Sequence, residues 1–196
     1  MKRLFDIVVS LSALLFLFPL VVLIYIWVRY DSRGGAFFRQ SRVGLNGKPF
    51  SILKFRTMTL KPQTDTGSFD AGDSSRITYV GRILRKYKLD ELPQLINVLK
   101  GEMSIVGPRP EVRSWVDTYP ERWRKIHQVK PGITDPASIE FRDEEVLLAQ
   151  YHDPQAAYKN IILPRKLTLY EEYVENHSFV GDVKLIVKTV FKVVAN

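Results

Sequence analysis

An uncharged run of 22 residues, 7–28, opens the chain, interrupted only by Ser10, Ser12 and Pro19. As a helix it would extend on the order of 33 Å, enough to cross a bilayer. The run is too long for a signal peptide, and no small-residue cleavage site follows it. Pro19 lies near its middle and removes a backbone hydrogen bond, which predicts a kink with Phe18 just ahead of it. Lys2 and Arg3 precede the run, and Arg29 and Arg33 follow it. A single straight span would strand one of these basic groups on the outer side, whereas a helix that enters and returns keeps both in the cytoplasm. Asp6 at the edge of the run is costly as a bare charge. It is expected either to pair with Arg3 or another cation of the chain, or to rest at headgroup level.

Beyond a turn-rich stretch at 31–35, residues 36–42 and 49–58 read as strands around Gly44-Leu45-Asn46-Gly47, a hairpin. Residues 61–75 are polar and aperiodic, which makes them a loop, either a lid or a passive connection. Ile77, Val80, Ile83 and Leu84 have helical spacing and leave Arg82, Arg85 and Lys86 outward. Residues 101–110 read as a short buried strand ending in a rigid turn. The 111–128 stretch is amphipathic, with Trp115 and Trp123 among basic residues and Pro120 interrupting it; headgroup contact and core packing explain it equally well. Two further helical patterns cover 158–175 and 179–194. In the last, Lys184, Lys188 and Lys192 recur every four residues opposite valines and Phe191, the mark of an interfacial helix or of a plain amphipathic core helix.

A chain of 196 residues is about one domain's worth. Its net charge of +8 calls for an anionic partner: nucleic acid, lipid headgroup or phosphorylated substrate. The apolar N-terminal run argues against nucleic acid. Cysteine is absent, which removes disulfides, Cys–zinc sites and thiol catalysis. His127, His152 and His177 lack metal-ligand spacing. There is no P-loop, no G-x-G-x-x-G and no G-x-S-x-G elbow.

The chemistry concentrates in Leu89-Asp90-Glu91-Leu92-Pro93-Gln94, two adjacent carboxylates among Arg82, Arg85, Lys86, Lys88 and Lys100. Pro93 is tolerated only in a first turn, so Asp90 is expected near the N-cap of a helix that Gly101 stops. An anion there would be stabilised by free N–H groups and the helix dipole. Two readings stand at this point: a capping pair, or a carboxylate ready to attack phosphorus or bind a metal. Downstream, Pro108 and Pro110 flank Arg109 and preset its direction, an arrangement suited to phosphate.

Several pieces, taken in order, resemble the small monotopic phosphoglycosyl transferases of the bacterial sugar transferase family. They are Lys2-Arg3-Leu4-Phe5-Asp6, the proline in the first apolar segment, Lys54-Phe55-Arg56-Thr57-Met58, Arg85, the 89–94 motif, Gly107-Pro108-Arg109-Pro110 and Pro131-Gly132-Ile133-Thr134. The resemblance implies a helix-rich α/β monotopic membrane protein. Residues 1–30 would form a re-entrant helix-break-helix, and 31–196 a cytoplasmic catalytic domain with a small β-hairpin and interfacial helices. It would sit on the cytoplasmic face of the bacterial inner membrane, on anionic phospholipid. The implied reaction transfers a phosphosugar from a UDP-sugar to polyprenol (undecaprenyl) phosphate, through a covalent intermediate on Asp90 with release of UMP. Mg²⁺ would be held by Asp90 and Glu91, Glu91 being alternatively a proton acceptor. Arg85 and Arg109, with Pro108 and Pro110 framing the latter, and Arg56 would bind substrate; Lys2, Arg3 and Asp6 would fix the membrane helix to the catalytic part. Phe18 departs from the serine common before the proline, and Asp135-Pro136-Ala137-Ser138 departs from the usual continuation, which makes Asp135, Glu140 and Arg142 this chain's own polar candidates near the donor pocket. A non-catalytic membrane module recruiting an acidic partner is the alternative. The sugar and the pathway are not specified, and a homo-oligomer is compatible with the chain.

Overall fold

The computed structural model describes residues 1–59 and 75–194. The candidate lid at 61–75 therefore lies outside the described residues except for Ser75.

Helix α1 (Lys2–Phe16) and helix α2 (Phe18–Asp31) meet at a 64° bend, and among the described residues no single helix is long and apolar enough to cross a membrane. The bend falls at Leu17, two residues before the proline expected to cause it. The offset follows from geometry: Pro19 lacks the N–H that would reach back to Leu15, and its ring crowds that carbonyl, so the ladder fails a turn upstream. The Leu17 N–H closes α1 on Ala13 O, and the Val21 N–H opens the next ladder on Leu17 O. Pro19 then occupies the first turn of α2, where a missing donor is harmless.

Strands β1 (Phe37–Val43) and β2 (Pro49–Phe55) form the expected antiparallel hairpin, in register from Phe37↔Phe55 to Val43↔Pro49. The second strand stops three residues short of Met58, which instead makes a lone bridge with Ile77. This takes Ile77 out of helix α3 (Tyr79–Lys86), whose first turn is capped by Thr78 Oγ1 accepting from the Gly81 N–H at 2.9 Å. A Cβ on Gly81 would lie 2.1 Å from Thr57 O, so glycine lets α3 settle directly on the end of β2.

Helix α4 (Gln94–Lys100) ends at Gly101 in the left-handed region, φ +86°, as expected of a C-terminal stop. Asn97 on α4 is buried, and its side chain accepts from Leu53 N and donates to Ser51 O, clamping the helix to β2. Strand β3 (Ser104–Val106) is wholly buried and pairs in parallel with β4 (Gly132–Thr134). Between them run α5 (Arg113–Val116) and α6 (Pro120–Ile126); after them come α7 (Pro136–Glu140), α8 (Glu144–Leu148) and α9 (Pro154–Ala157). A π-helical turn (Tyr158–Ile162) leads into α10 (Leu163–Asn176), and α11 (Phe179–Val194) follows. Among the described residues the fold is helix-rich with two small two-stranded sheets.

The largest buried cluster joins Trp115, Trp123, Leu167 and Tyr170, so both tryptophans belong to the core and not to a headgroup layer. Arg122, one of the basic residues beside Trp123, forks onto Glu171 of α10 at 2.6 and 2.9 Å.

The first helix is tied to the rest of the protein by its polar end. Arg3 donates to Val98 O (2.6 Å) and Leu99 O (2.9 Å), satisfying carbonyls at the end of α4. Lys2 ion-pairs with Asp182 of α11 and donates to Val106 O. Among the described residues Asp6, 2% exposed, pairs with no cation, contrary to the expected ion pair; it accepts from Ser104 Oγ at 2.9 Å and from the Ile105 N–H at 3.1 Å. Two hydrogen bonds from β3 compensate the buried carboxylate where an ion pair was anticipated.

Candidate active site

A cleft of about 560 Å³ opens between α3, the 89–91 segment, Arg109 and the helices that follow β4. Asp90 and Glu91 lie at it, each 7% exposed. Contrary to the expectation of Asp90 at the N-cap, they do not cap α4: Lys88 turns into the left-handed region (φ 54°) and starts a separate 3-10 turn, Leu89–Glu91, while Pro93 caps the helix. The dyad is thus removed from the end of the helix dipole.

Glu91 is pinned by two cations. Lys54 Nζ donates to its Oε1 at 2.7 Å, and Arg109 forks onto both oxygens, at 2.5 Å to Oε1 and 3.3 Å to Oε2. Burial by itself would raise the Glu91 carboxyl, but Arg109 and Lys54 outweigh it and hold the group well below the usual carboxylate range. The same pairing lifts the Arg109 guanidinium further above its ordinary value. Burial brings Lys54 down despite Glu91.

Asp90 is in the opposite condition. Its Oδ1 is buried and has no hydrogen-bond partner among the described residues. Burial, and then the charge of Glu91, push its carboxyl up from 3.8 to about 6 against the pull of Lys54, Lys88 and Arg109. The expected helix-end stabilisation of the anion is therefore reversed. Neighbouring carboxylates driven in opposite directions are the usual sign of divided chemical roles.

The predicted arginines separate. Arg109 and Arg85 both line the cleft, with Arg85 Nε donating to Thr57 Oγ1 at 3.0 Å. Arg56 does not line it: its guanidinium donates to Arg33 O, Ser32 O and Ser32 Oγ at 2.7–3.0 Å, a buried brace between the end of β2 and the 31–35 stretch. Pro108 and Pro110 are buried behind the cleft, where their carbonyls accept from the Gly132 N–H and from Arg42 Nη1. They fix the turn that aims Arg109. Gly107 lets that turn pass the entry to β4, since a Cβ there would meet Lys130 O at 2.4 Å.

Residues 1–196 match the model of the family described as bacterial sugar transferase. The chain belongs to the bacterial sugar transferase family. It is 38% identical to the uncharacterized sugar transferase EpsL of Bacillus subtilis, over all of this chain and 88% of that one. It is 37% identical to the UDP-glucose:undecaprenyl-phosphate glucose-1-phosphate transferase of Caulobacter vibrioides, over 96% of this chain and 68% of that one. A UDP-N-acetylgalactosamine-undecaprenyl-phosphate N-acetylgalactosaminephosphotransferase of Aeromonas hydrophila is 38% identical over 70% of this chain, and the match spans a third of that longer protein. The protein is accordingly a transferase enzyme.

Two further cations belong to the site. Lys54 lies in the Lys54-Phe55-Arg56-Thr57-Met58 motif, yet nothing local names Glu91 as its partner, and Lys166 is visible in the sequence only as a lone cation in the Leu163, Leu167 and Tyr170 stripe. Both line the cleft. Of the candidates in the 135–142 segment, Arg142 lines the cleft and donates to Lys192 O, whereas Asp135, fully buried, caps α7 through Ser138 and Glu140 pairs with Arg165 at the surface. His127 is buried away from the cleft, pushed down to about 4 by burial and then by Arg113.

For a divalent cation, the donor set divides. The three hydrogen bonds on Glu91 come from cationic groups, an environment that repels a metal ion. The unpartnered buried oxygen of Asp90 does fit, because Mg²⁺ is commonly held by one carboxylate with substrate phosphates and water completing its shell. No cluster of three acidic or histidine side chains exists among the described residues.

Proposed function

We propose that this enzyme transfers a sugar 1-phosphate from a UDP-sugar to polyprenol (undecaprenyl) phosphate, by way of a covalent aspartyl intermediate. The observation that carries the reading is the Asp90 oxygen without a partner among the described residues, in a cationic cleft beside a Glu91 that Lys54 and Arg109 keep ionised. The names of the Caulobacter and Aeromonas relatives supply the donor and acceptor classes.

Asp90 attacks the sugar-bearing phosphorus of the donor; the bond to the bridging oxygen breaks, and UMP leaves with that electron pair. A phosphate oxygen of the polyprenol phosphate then attacks the same phosphorus and frees Asp90, leaving a polyprenol diphosphate sugar. An Asp90 carboxyl at about 6 is ionised at neutral pH yet remains more basic, and so more nucleophilic, than an ordinary aspartate. Arg109, oriented by Glu91, and Arg85, steadied by Thr57, hold the diphosphate and spread its charge. Glu91 serves as the anchor that aims Lys54 and Arg109. Mg²⁺, held by Asp90 with phosphate oxygens of the donor, would neutralise charge building on the leaving UMP.

The bent α1–α2 pair fits a re-entrant anchor that keeps both basic ends in the cytoplasm of the bacterial inner membrane. Leu4, Leu11, Leu15, Phe16 and Leu23 are exposed along it, and Phe5 meets Phe179 of α11 edge-on at 5.1 Å. The exposed Phe179, Val187 and Phe191 of α11 thereby continue the apolar surface of α1, with Lys184 and Lys188 also exposed for anionic headgroups. A non-catalytic docking module would leave the opposed carboxylates without a purpose.

The test is a rapidly quenched incubation with donor alone. Intact-protein mass spectrometry should find a phosphosugar adduct on Asp90 together with stoichiometric UMP. An active preparation that gives neither transfers directly through a ternary complex. A preparation that releases no UMP from any UDP-sugar with undecaprenyl phosphate present is not this enzyme.

A further inference from the structure

A second group of charges reaches the cleft from the helices after β4. Lys166 on α10 is 4% exposed yet lines the cleft, and so does Glu144 on α8. Lys166 Nζ donates to Glu144 Oε2 at 2.9 Å and to the Tyr158 hydroxyl at 3.3 Å, and lies 3.8 Å from Glu111 Oε1. Glu111 follows Arg109 by two residues and also accepts from Arg42 Nη1 at 3.0 Å. A line of charged groups therefore runs from the Asp90 dyad through Arg109 and Glu111 to Lys166 and Glu144. Tyr158 opens the π-helical turn, an element that re-aims side chains and recurs at functional sites.

The charge balance of this end decides what it can hold. Around Asp90 the cations of the cleft outnumber its acids, which suits a diphosphate. Lys166 instead has Glu144 and Glu111 against it, so its charge is already compensated and offers phosphate little attraction. An ammonium beside a carboxylate presents one donor and one acceptor, the complement of neighbouring hydroxyls that each donate and accept. Asp143 is the other acid lining this wall, and its two further cations, Arg142 and Lys192, already donate to the carbonyls of Lys192 and Ile139. The Caulobacter and Aeromonas relatives are named for different hexoses on the same nucleotide and acceptor, which makes the hexose the part of the donor that family members must tell apart.

We infer that Glu144 and Lys166 read the hydroxyl pattern of the donor hexose and thereby set which UDP-sugar is used, an inference that rests on the transfer reading above. Glu144 is the residue to change, because Lys166 also neutralises Glu111 in the core. Glu144→Gln keeps the shape and removes the charge; Glu144→Asp keeps the charge and shortens the reach. Full-length protein in detergent is assayed with UDP-glucose, UDP-galactose, UDP-N-acetylglucosamine and UDP-N-acetylgalactosamine, alongside calorimetric binding of each donor and of UMP. The native preference should fall by about 10- to 100-fold in kcat/KM, carried mainly by KM, and the ratio between preferred and next donor should move toward unity. Affinity for UMP, which lacks the hexose, should stay within about twofold of native in both variants. Donor ratios and affinities that stay within about twofold of native in both variants overturn the inference. A native protein that binds UDP-sugars but transfers nothing costs the transfer reading alone, since donor binding still reads the effect of Glu144. A native protein that binds none of the four overturns both.

Discussion

Asp90→Asn should make this enzyme inactive and, above neutral pH, more stable. The carboxyl rises from 3.8 to about 6 because burial and the Glu91 charge disfavour its anion in the folded state. A raised folded value means that the anion opposes folding. The penalty is absent below about pH 3.8, grows between there and about 6, and is complete at higher pH. The difference corresponds to about 3 kcal/mol. Asparagine removes the charge but remains a buried polar group with a cost of its own, which leaves a net gain on the order of 1–2 kcal/mol. For a chain of this size that is a rise in Tm of roughly 2–8 °C at pH 8, shrinking toward zero near pH 4. Turnover should fall at least about a thousandfold, since an amide cannot form the acyl phosphate. Thermal unfolding of native and variant protein at pH 4, 6 and 8, with UMP release measured at pH 8, is the assay. A variant less stable than native at pH 8 would refute the reasoning, because it would make Asp90 a structural cap; so would a gain that does not change with pH.

Arg109→Lys keeps one positive charge but loses the planar fork that grips both oxygens of Glu91, so turnover should drop about 100-fold with the circular dichroism spectrum unchanged; a drop of less than threefold would show that a point charge suffices. Pro19→Ala restores the donor to Leu15 O and should straighten the α1–α2 bend, which is 64° in the native protein. A single cysteine placed near Lys2 of the otherwise cysteine-free chain should resist a membrane-impermeant maleimide applied from the periplasmic side, and should react once Pro19 is replaced. Labelling in the native background would make the segment a spanning anchor.

Much of the architecture was legible because it depends on neighbours within a turn or two. The apolar run with its proline, the 44–47 hairpin turn, the Gly101 stop and the rigid turn around Arg109 all follow from side-chain period and backbone restriction. The adjacency of Asp90 and Glu91 in a basic setting was equally plain. What escaped depends on partners far along the chain. Asp6 meets Ser104, Lys54 meets Glu91 and Lys166 meets Glu144, and no local pattern names those pairs. Arg56 and Arg109 look alike as motif arginines, yet packing turns one onto the carbonyls of Ser32 and Arg33 and the other onto Glu91. The sharpest case is the dyad itself. As sequence it is two carboxylates of nearly equal acidity, and propensity places the first at a helix cap. Lys88 shifts that turn, burial strips water from both groups, and Lys54 and Arg109 reach only Glu91 with hydrogen bonds. Residue order supplied the two acids; the field of the folded chain, which sums over burial and every nearby charge, made them different.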